Sequence, residues 1–79
     1  MADLMAIRRE NRRYKVSNLK KIREAVGLSQ NKLATLSGVS NRMIQHYEQG
    51  VKDINKAQAE TVYKLANTLN CNMEDIIEK

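Results

Sequence analysis

Apolar residues recur along this chain at helical rather than strand spacing, and three glycines break the pattern into segments. Leu19, Ile22 and Val26 share one face of a helix expected over about 18–26. Leu33, Ala34 and Leu36 predict a short second helix over about 30–37, and Ile44 and Tyr47 a third over about 41–49. Val62, Leu65, Ala66 and Leu69, at i, i+3, i+4 and i+7, give a fourth ending near Leu69. Met73, Ile76 and Ile77 belong to a short fifth.

The punctuation agrees with the pattern. Gly27, Gly38 and Gly50 each follow a helical stretch, where a left-handed residue stops the helix. Ser17, Ser29 and Ser40 stand where a hydroxyl can cap the next one. Asn55 with Gln58 three residues on reads as a capping box opening the fourth helix, and Asn72 with Asp75 as one opening the fifth. Asn70 can stop the fourth. Between Gly50 and Asn55, the apolar Val51 and Ile54 are expected to tuck into the core. The expectation is an all-α fold of five helices over residues 17–79, preceded by an extension, residues 1–16.

Composition narrows the class. A chain of 79 residues is one domain near the lower end of what folds on a single core. Tyr14, Tyr47 and Tyr63 are the only aromatics, so that core must be aliphatic. Cys71 is alone, which excludes an internal disulfide and points to a small hydrophobe in a reducing compartment. No apolar run approaches the ~20 residues that span a bilayer, and no signal peptide is evident, so a cytoplasmic protein with no membrane contact is expected. His46 is the only histidine; by itself it supplies neither a metal cluster nor a hydrolytic triad. With no phosphate loop and no paired carboxylates flanking a cleft, neither an enzyme nor a cofactor is expected.

The net charge of +5 is unevenly distributed. Residues 1–56 carry twelve basic against five acidic side chains, and residues 57–79 two against four. A basic front suits a polyanionic partner. Part of it lies in residues 1–16, where Arg8-Arg9-Glu10-Asn11-Arg12-Arg13 follows Leu4 and Ile7. That segment could be a helical extension, a solvated tail, a basic arm entering a minor groove, or a docking segment, residues 1–15, for another protein.

The span from Gln30 to Gln49 carries the functional signal. Two short helices are separated only by Gly38-Val39-Ser40, a turn so tight that the helices must cross steeply. Ala34 faces the crossing, while Val39, Ile44 and Tyr47 lock the second helix onto the first. Once Ile44 and Tyr47 face inward, Asn41, Arg42, Gln45, His46 and Gln49 lie outward on a helix able to enter a groove ~12 Å wide.

In order and spacing, Leu19-Lys20-Lys21-Ile22-Arg23, Gly27-Leu28-Ser29-Gln30, Leu33-Ala34, Ser37-Gly38-Val39-Ser40, Ile44, Tyr47-Glu48-Gln49-Gly50 and Leu65-Ala66-Asn67-Thr68-Leu69 resemble the Xre/Cro and phage-repressor family. The resemblance covers about residues 19–77. It implies a five-helix lambda-repressor-like domain, double-stranded DNA as ligand, and often dimeric binding to inverted repeats. The proline common before the fourth helix in that family is absent; Asn55 capping could replace it.

The resemblance places Asn41, Arg42 and His46 at base edges, with Gln45 at the margin of that surface. Arg42 could pair with guanine O6 and N7, and Asn41 with adenine N6 and N7. Gln30 matches the family's glutamine that bonds phosphate and braces the recognition helix. Ser40, at a helix N-terminus, forms a phosphate seat. Lys32, Gln49, Lys52 and Lys56 are candidate backbone contacts, although each lysine could equally belong to a solvated face. Arg23 and Glu48 fall beside apolar positions, and the family often pairs residues there across the core, a structural role. The function expected is a repressor-like regulator of transcription acting as a homodimer, its dimer surface on the last helix using whichever of Met73, Ile76 and Ile77 the core does not take, unless these residues simply cap the bundle. The alternative is an antitoxin-like protein-interaction module on the same fold.

Overall fold

The computed structural model describes residues 16–78. The expectations for the basic extension fall on residues 1–15 and so, Val16 excepted, lie outside the described part. Among the described residues the chain forms α1 (Asn18–Val26), α2 (Gln30–Ser37), α3 (Asn41–Gln49), a single 3-10 turn (Ile54–Lys56), α4 (Ala59–Leu69) and α5 (Met73–Ile76). No strand occurs among them.

The helix starts follow from their caps. Ser17, Ser29 and Ser40 sit in extended backbone, and each hydroxyl oxygen accepts an otherwise orphaned N–H, from Lys20, Lys32 and Met43 at 3.0–3.1 Å. α1 ends in a Schellman arrangement: Gly27 N–H donates to Glu24 O and Leu28 N–H to Arg23 O. α3 ends the same way, with Gly50 N–H on Tyr47 O and Val51 N–H on His46 O. α5 opens as expected, the Asp75 carboxylate accepting from the Asn72 N–H at 2.9 Å.

Leu19, Leu33, Ile44, Leu65 and Ile76 are fully enclosed, and Val39, Tyr47, Ile54, Val62, Ala66 and Leu69 complete the core. α2 packs on both α3 and α4, and α5 closes the bundle against α4 and α1. The two ends of the folded chain are tied together. Asn18 donates its backbone N–H to the Glu78 carboxylate at 2.7 Å and its amide to Ile77 O at 2.8 Å. From the 3-10 turn, Asn55 Oδ1 accepts the Glu78 N–H at 2.7 Å.

Five sequence expectations are corrected. Leu36 is 56% exposed, because α2 turns Gln30, Leu33, Ala34 and Ser37 inward, which leaves Leu36 on the flank. Val26 is half exposed: the chain reverses at Gly27, and it is Leu28 that packs against the core. Val51, directly after the left-handed Gly50, points to solvent, whereas Ile54 is buried. Asn55 and Gln58 form no capping box. Asp53 caps the 3-10 turn through the Asn55 N–H, and α4 begins at Ala59 with no side-chain cap. Ile76 has no exposed surface to offer a second copy, since α5 spends it on the core, with Met73 and Ile77 packed partly against it.

Candidate nucleic-acid interface

The geometry of the interface is set by the turn between α2 and α3. Gly38 takes φ +78°, a left-handed conformation that ends α2. The buried Ser37 hydroxyl accepts the Val39 N–H at 3.1 Å, and Val39 drops into the core. Ser40 then caps α3, so three residues reverse the chain, with the Gly38 N–H on Ala34 O and Ser40 O accepting the Ile44 N–H. Because the hydroxyl oxygen accepts from Met43, the Ser40 O–H proton remains free to donate outward.

Ile44 and Tyr47 fix the rotation of α3 by inserting into the core. That rotation leaves Arg42 and Gln49 exposed and Asn41, Gln45 and His46 half-buried on the flanks. Met43 packs against the core margin. His46 is not the freely exposed side chain expected from the helical pattern: its Nδ1 is fully enclosed with no hydrogen-bond partner. Nε2 is therefore the ring nitrogen left to meet a ligand.

A polar network holds α3 to the rest of the domain. Arg23 Nε and Nη2 donate to the two Glu48 carboxylate oxygens at 2.7 and 3.0 Å, a bidentate ion pair with side chains only 10% and 3% exposed. Arg23 Nη1 donates to Leu28 O at 2.8 Å, tying in the turn before α2. Gln30 Nε2 donates to Glu48 Oε1 at 2.9 Å. The Arg23 guanidinium is held above its already high ordinary pKa chiefly by its hydrogen bond to Glu48, burial acting the other way. Gln30 keeps its second amide N–H to donate outward.

A second cluster lies at the start of α3. Asn41 donates its amide to Asn31 Oδ1 in the first turn of α2, and Gln45 Nε2 reaches Asn41 Oδ1 at 3.5 Å. Nothing in the helical pattern signals Asn31, because its partner lies ten residues away across the turn. Lys32, Lys52 and Lys56 are exposed. Lys52 and Gln49 share an open groove with Val16, Lys20 and Ile54 at the C-terminal end of α3.

Two short helices crossed through a three-residue turn, the second presenting a polar face from a locked base, define a helix-turn-helix DNA-binding module. The helix-turn-helix family model matches residues 19–76, and the chain belongs to that family, in its Xre/Cro-like form. Among solved structures it is similar to the restriction-modification controller protein C.AhdI from Aeromonas hydrophila. The two are 30% identical over 76% of this chain and 86% of that one, with a TM-score of 0.67. A search of curated proteins finds no match. Among the described residues no helix is long and apolar enough to cross a membrane.

Proposed function

We propose that this protein regulates transcription as a homodimer on an inverted repeat, each protomer laying α3 in the major groove. Sequence-specific binding of double-stranded DNA is the function of the class. The observation that carries the finer reading is the division of α3, with Ile44 and Tyr47 enclosed and Asn41, Arg42, Gln45 and His46 turned to the flank and outer side. Arg42 is the candidate for guanine O6 and N7, Asn41 for adenine, and His46 Nε2 for a base at the far end of the helix. Gln30, Lys32, Ser40, Gln49, Lys52 and Lys56 are the candidate phosphate contacts, setting register rather than sequence. Arg23 and Glu48 serve structure. Catalysis forms no part of this reading.

Dimeric binding follows from size, since one small module offers few contacts and two half-sites ~34 Å apart double them. With Ile76 enclosed, Met73 in α5 and Ile77 directly after it are the apolar residues left to touch a second copy. The likeness to C.AhdI, a restriction-modification controller protein, favours a controller-type regulator. Selection of bound duplexes from a random pool, at two salt concentrations, tests the proposal. An inverted repeat is expected, and it should vanish from the selection with Asn41→Ala and Arg42→Ala combined. Recovery of no sequence by the unaltered protein would reject it.

A further inference from the structure

We infer that Asn55 is a positioning residue for binding of the DNA backbone, fixing the direction in which Lys56 leaves the turn after α3. The inference deepens the DNA reading above and rests on it. Between Gly50 and α4 only Ile54 is buried, with Ala57 packed partly against the core, and α4 starts with no side-chain cap. A further hold comes from far along the chain. Asn55 Oδ1 accepts the Glu78 backbone N–H at 2.7 Å, and Asn55 Nδ2 donates to the Glu78 backbone oxygen. Both partners are peptide groups, one able only to donate and the other only to accept, so the sense of the Asn55 amide is settled. Glu78 is anchored in turn from α1. Its carboxylate accepts the Asn18 N–H at 2.7 Å, while the Asn18 amide donates to Ile77 O at 2.8 Å.

The turn converts that hold into a direction. A 3-10 helix has about three residues per turn, so Ile54, Asn55 and Lys56 point about 120° apart. Ile54 is enclosed in the core and Asn55 is bound to Glu78, which leaves Lys56 the third face. With Ile54 as its one anchor the turn could swivel; the pair of bonds to Glu78 removes that freedom. Lys56 is exposed and, among the described residues, pairs with no carboxylate. Asp53, three residues earlier and on the same side of the turn, spends its carboxylate on the Asn55 N–H. An ammonium whose backbone is already held meets a phosphate without the cost of ordering the turn on binding. Asn55 supports that contact without touching DNA.

The test measures affinity for the selected operator, and its salt dependence, for the full chain, Asn55→Ala, Lys56→Ala and the two combined, each below its melting temperature. Lys56→Ala should weaken binding to every duplex and flatten the log–log salt slope by ~0.9. Asn55→Ala removes no charge, yet it should lower affinity severalfold and flatten the slope by part of that amount, with the selected operator unchanged. The combined variant should bind little worse than Lys56→Ala alone, because both residues serve one contact. Glu78→Pro deletes the N–H on the other side of the pair, where the extended Ile77 suits a following proline. It should reproduce the loss even though it removes a negative charge. The inference is overturned if Asn55→Ala binds as the unaltered protein does, whatever its melting temperature. It is overturned equally if that variant loses affinity with its salt slope intact, as loss of a direct uncharged contact would, or if its loss and that of Lys56→Ala multiply independently. A Lys56→Ala variant with full affinity and slope sinks it too, and leaves the DNA reading standing. An unaltered protein that selects no sequence rejects that reading, and this inference with it.

Discussion

Charge on Glu48 is held by contacts from two side chains: two from Arg23 and one from Gln30, around a carboxylate that is almost fully enclosed. Alanine there strands the Arg23 guanidinium and releases Gln30, and breaking one partner of a buried pair costs about 3–5 kcal/mol. Denaturant unfolding of Glu48→Ala should show a loss of that order, whereas replacing both partners with apolar residues of similar volume should recover most of it. An unchanged unfolding midpoint for the single variant would contradict the structural role. Because the Arg23 pKa is raised, the stability contributed by the guanidinium's charge is present throughout the pH range below its ordinary pKa and is lost only as pH climbs through the still higher folded value. Ordinary acid or neutral titration therefore leaves the arginine charged. Cys71 is a second residue with a shifted equilibrium, its thiol pushed up by burial and then by Asp75. Alkylation of the folded protein should be slow at neutral pH and keep accelerating beyond the pH at which a free cysteine levels off. A rate profile that coincides with that of the unfolded chain would place the thiol in solvent instead.

At the scale of elements, what was legible in the sequence was local. Every serine N-cap and glycine stop was readable because the side chain and the N–H or the φ it serves lie within three or four residues. The first three helices begin and end where those signals stand. Positions decided by neighbours distant in sequence were not legible in the pattern itself, and the Arg23–Glu48 pair was expected only through the family resemblance. Leu36 lies on the flank because α2 is oriented by its packing on α3 and α4, and Asn55 is drawn away from capping by the backbone of Glu78. The site divides in the same way. The outward set on α3 follows from the spacing of Ile44 and Tyr47, whereas the Asn31–Asn41 contact and the enclosure of His46 Nδ1 arise only when helices cross. Gly38 allows a clean test of the turn that makes them cross. A methyl group added there would meet no atom within 4 Å, so the cost of Gly38→Ala is purely the left-handed backbone, about 1–2 kcal/mol. Gly38→Asn should lose less, since asparagine visits that region readily, as Asn70 does here at φ 58°. Equal losses for the two variants would show that packing, not backbone conformation, limits the turn.

For the whole molecule, the charge sits in an unexpected place relative to the groove-reading surface. Residues 16–78 hold eight basic and seven acidic side chains, a net charge of only +1, whereas residues 1–15 hold five basic against two acidic, a net charge of +3. Long-range attraction of the chain to a polyanion thus rests largely on a segment outside the folded domain's described part. The segment joins the domain at Val16, which lines the same groove as Gln49 and Lys52 at the C-terminal end of α3. Whatever residues 1–15 do, they are attached beside two of the candidate phosphate contacts. Replacing Arg8, Arg9, Arg12 and Arg13 with alanine in the full chain should therefore lower affinity for all duplexes. It should also flatten the log–log salt dependence by ~0.9 for each phosphate that is no longer neutralised. If α3 reads the sequence, as proposed, the selected operator should not change, because phosphate contacts carry no base information. An altered operator would mean that the segment reads bases itself. An unchanged slope would leave the arginines in solvent or on a protein partner, and the DNA contacts confined to the +1 domain.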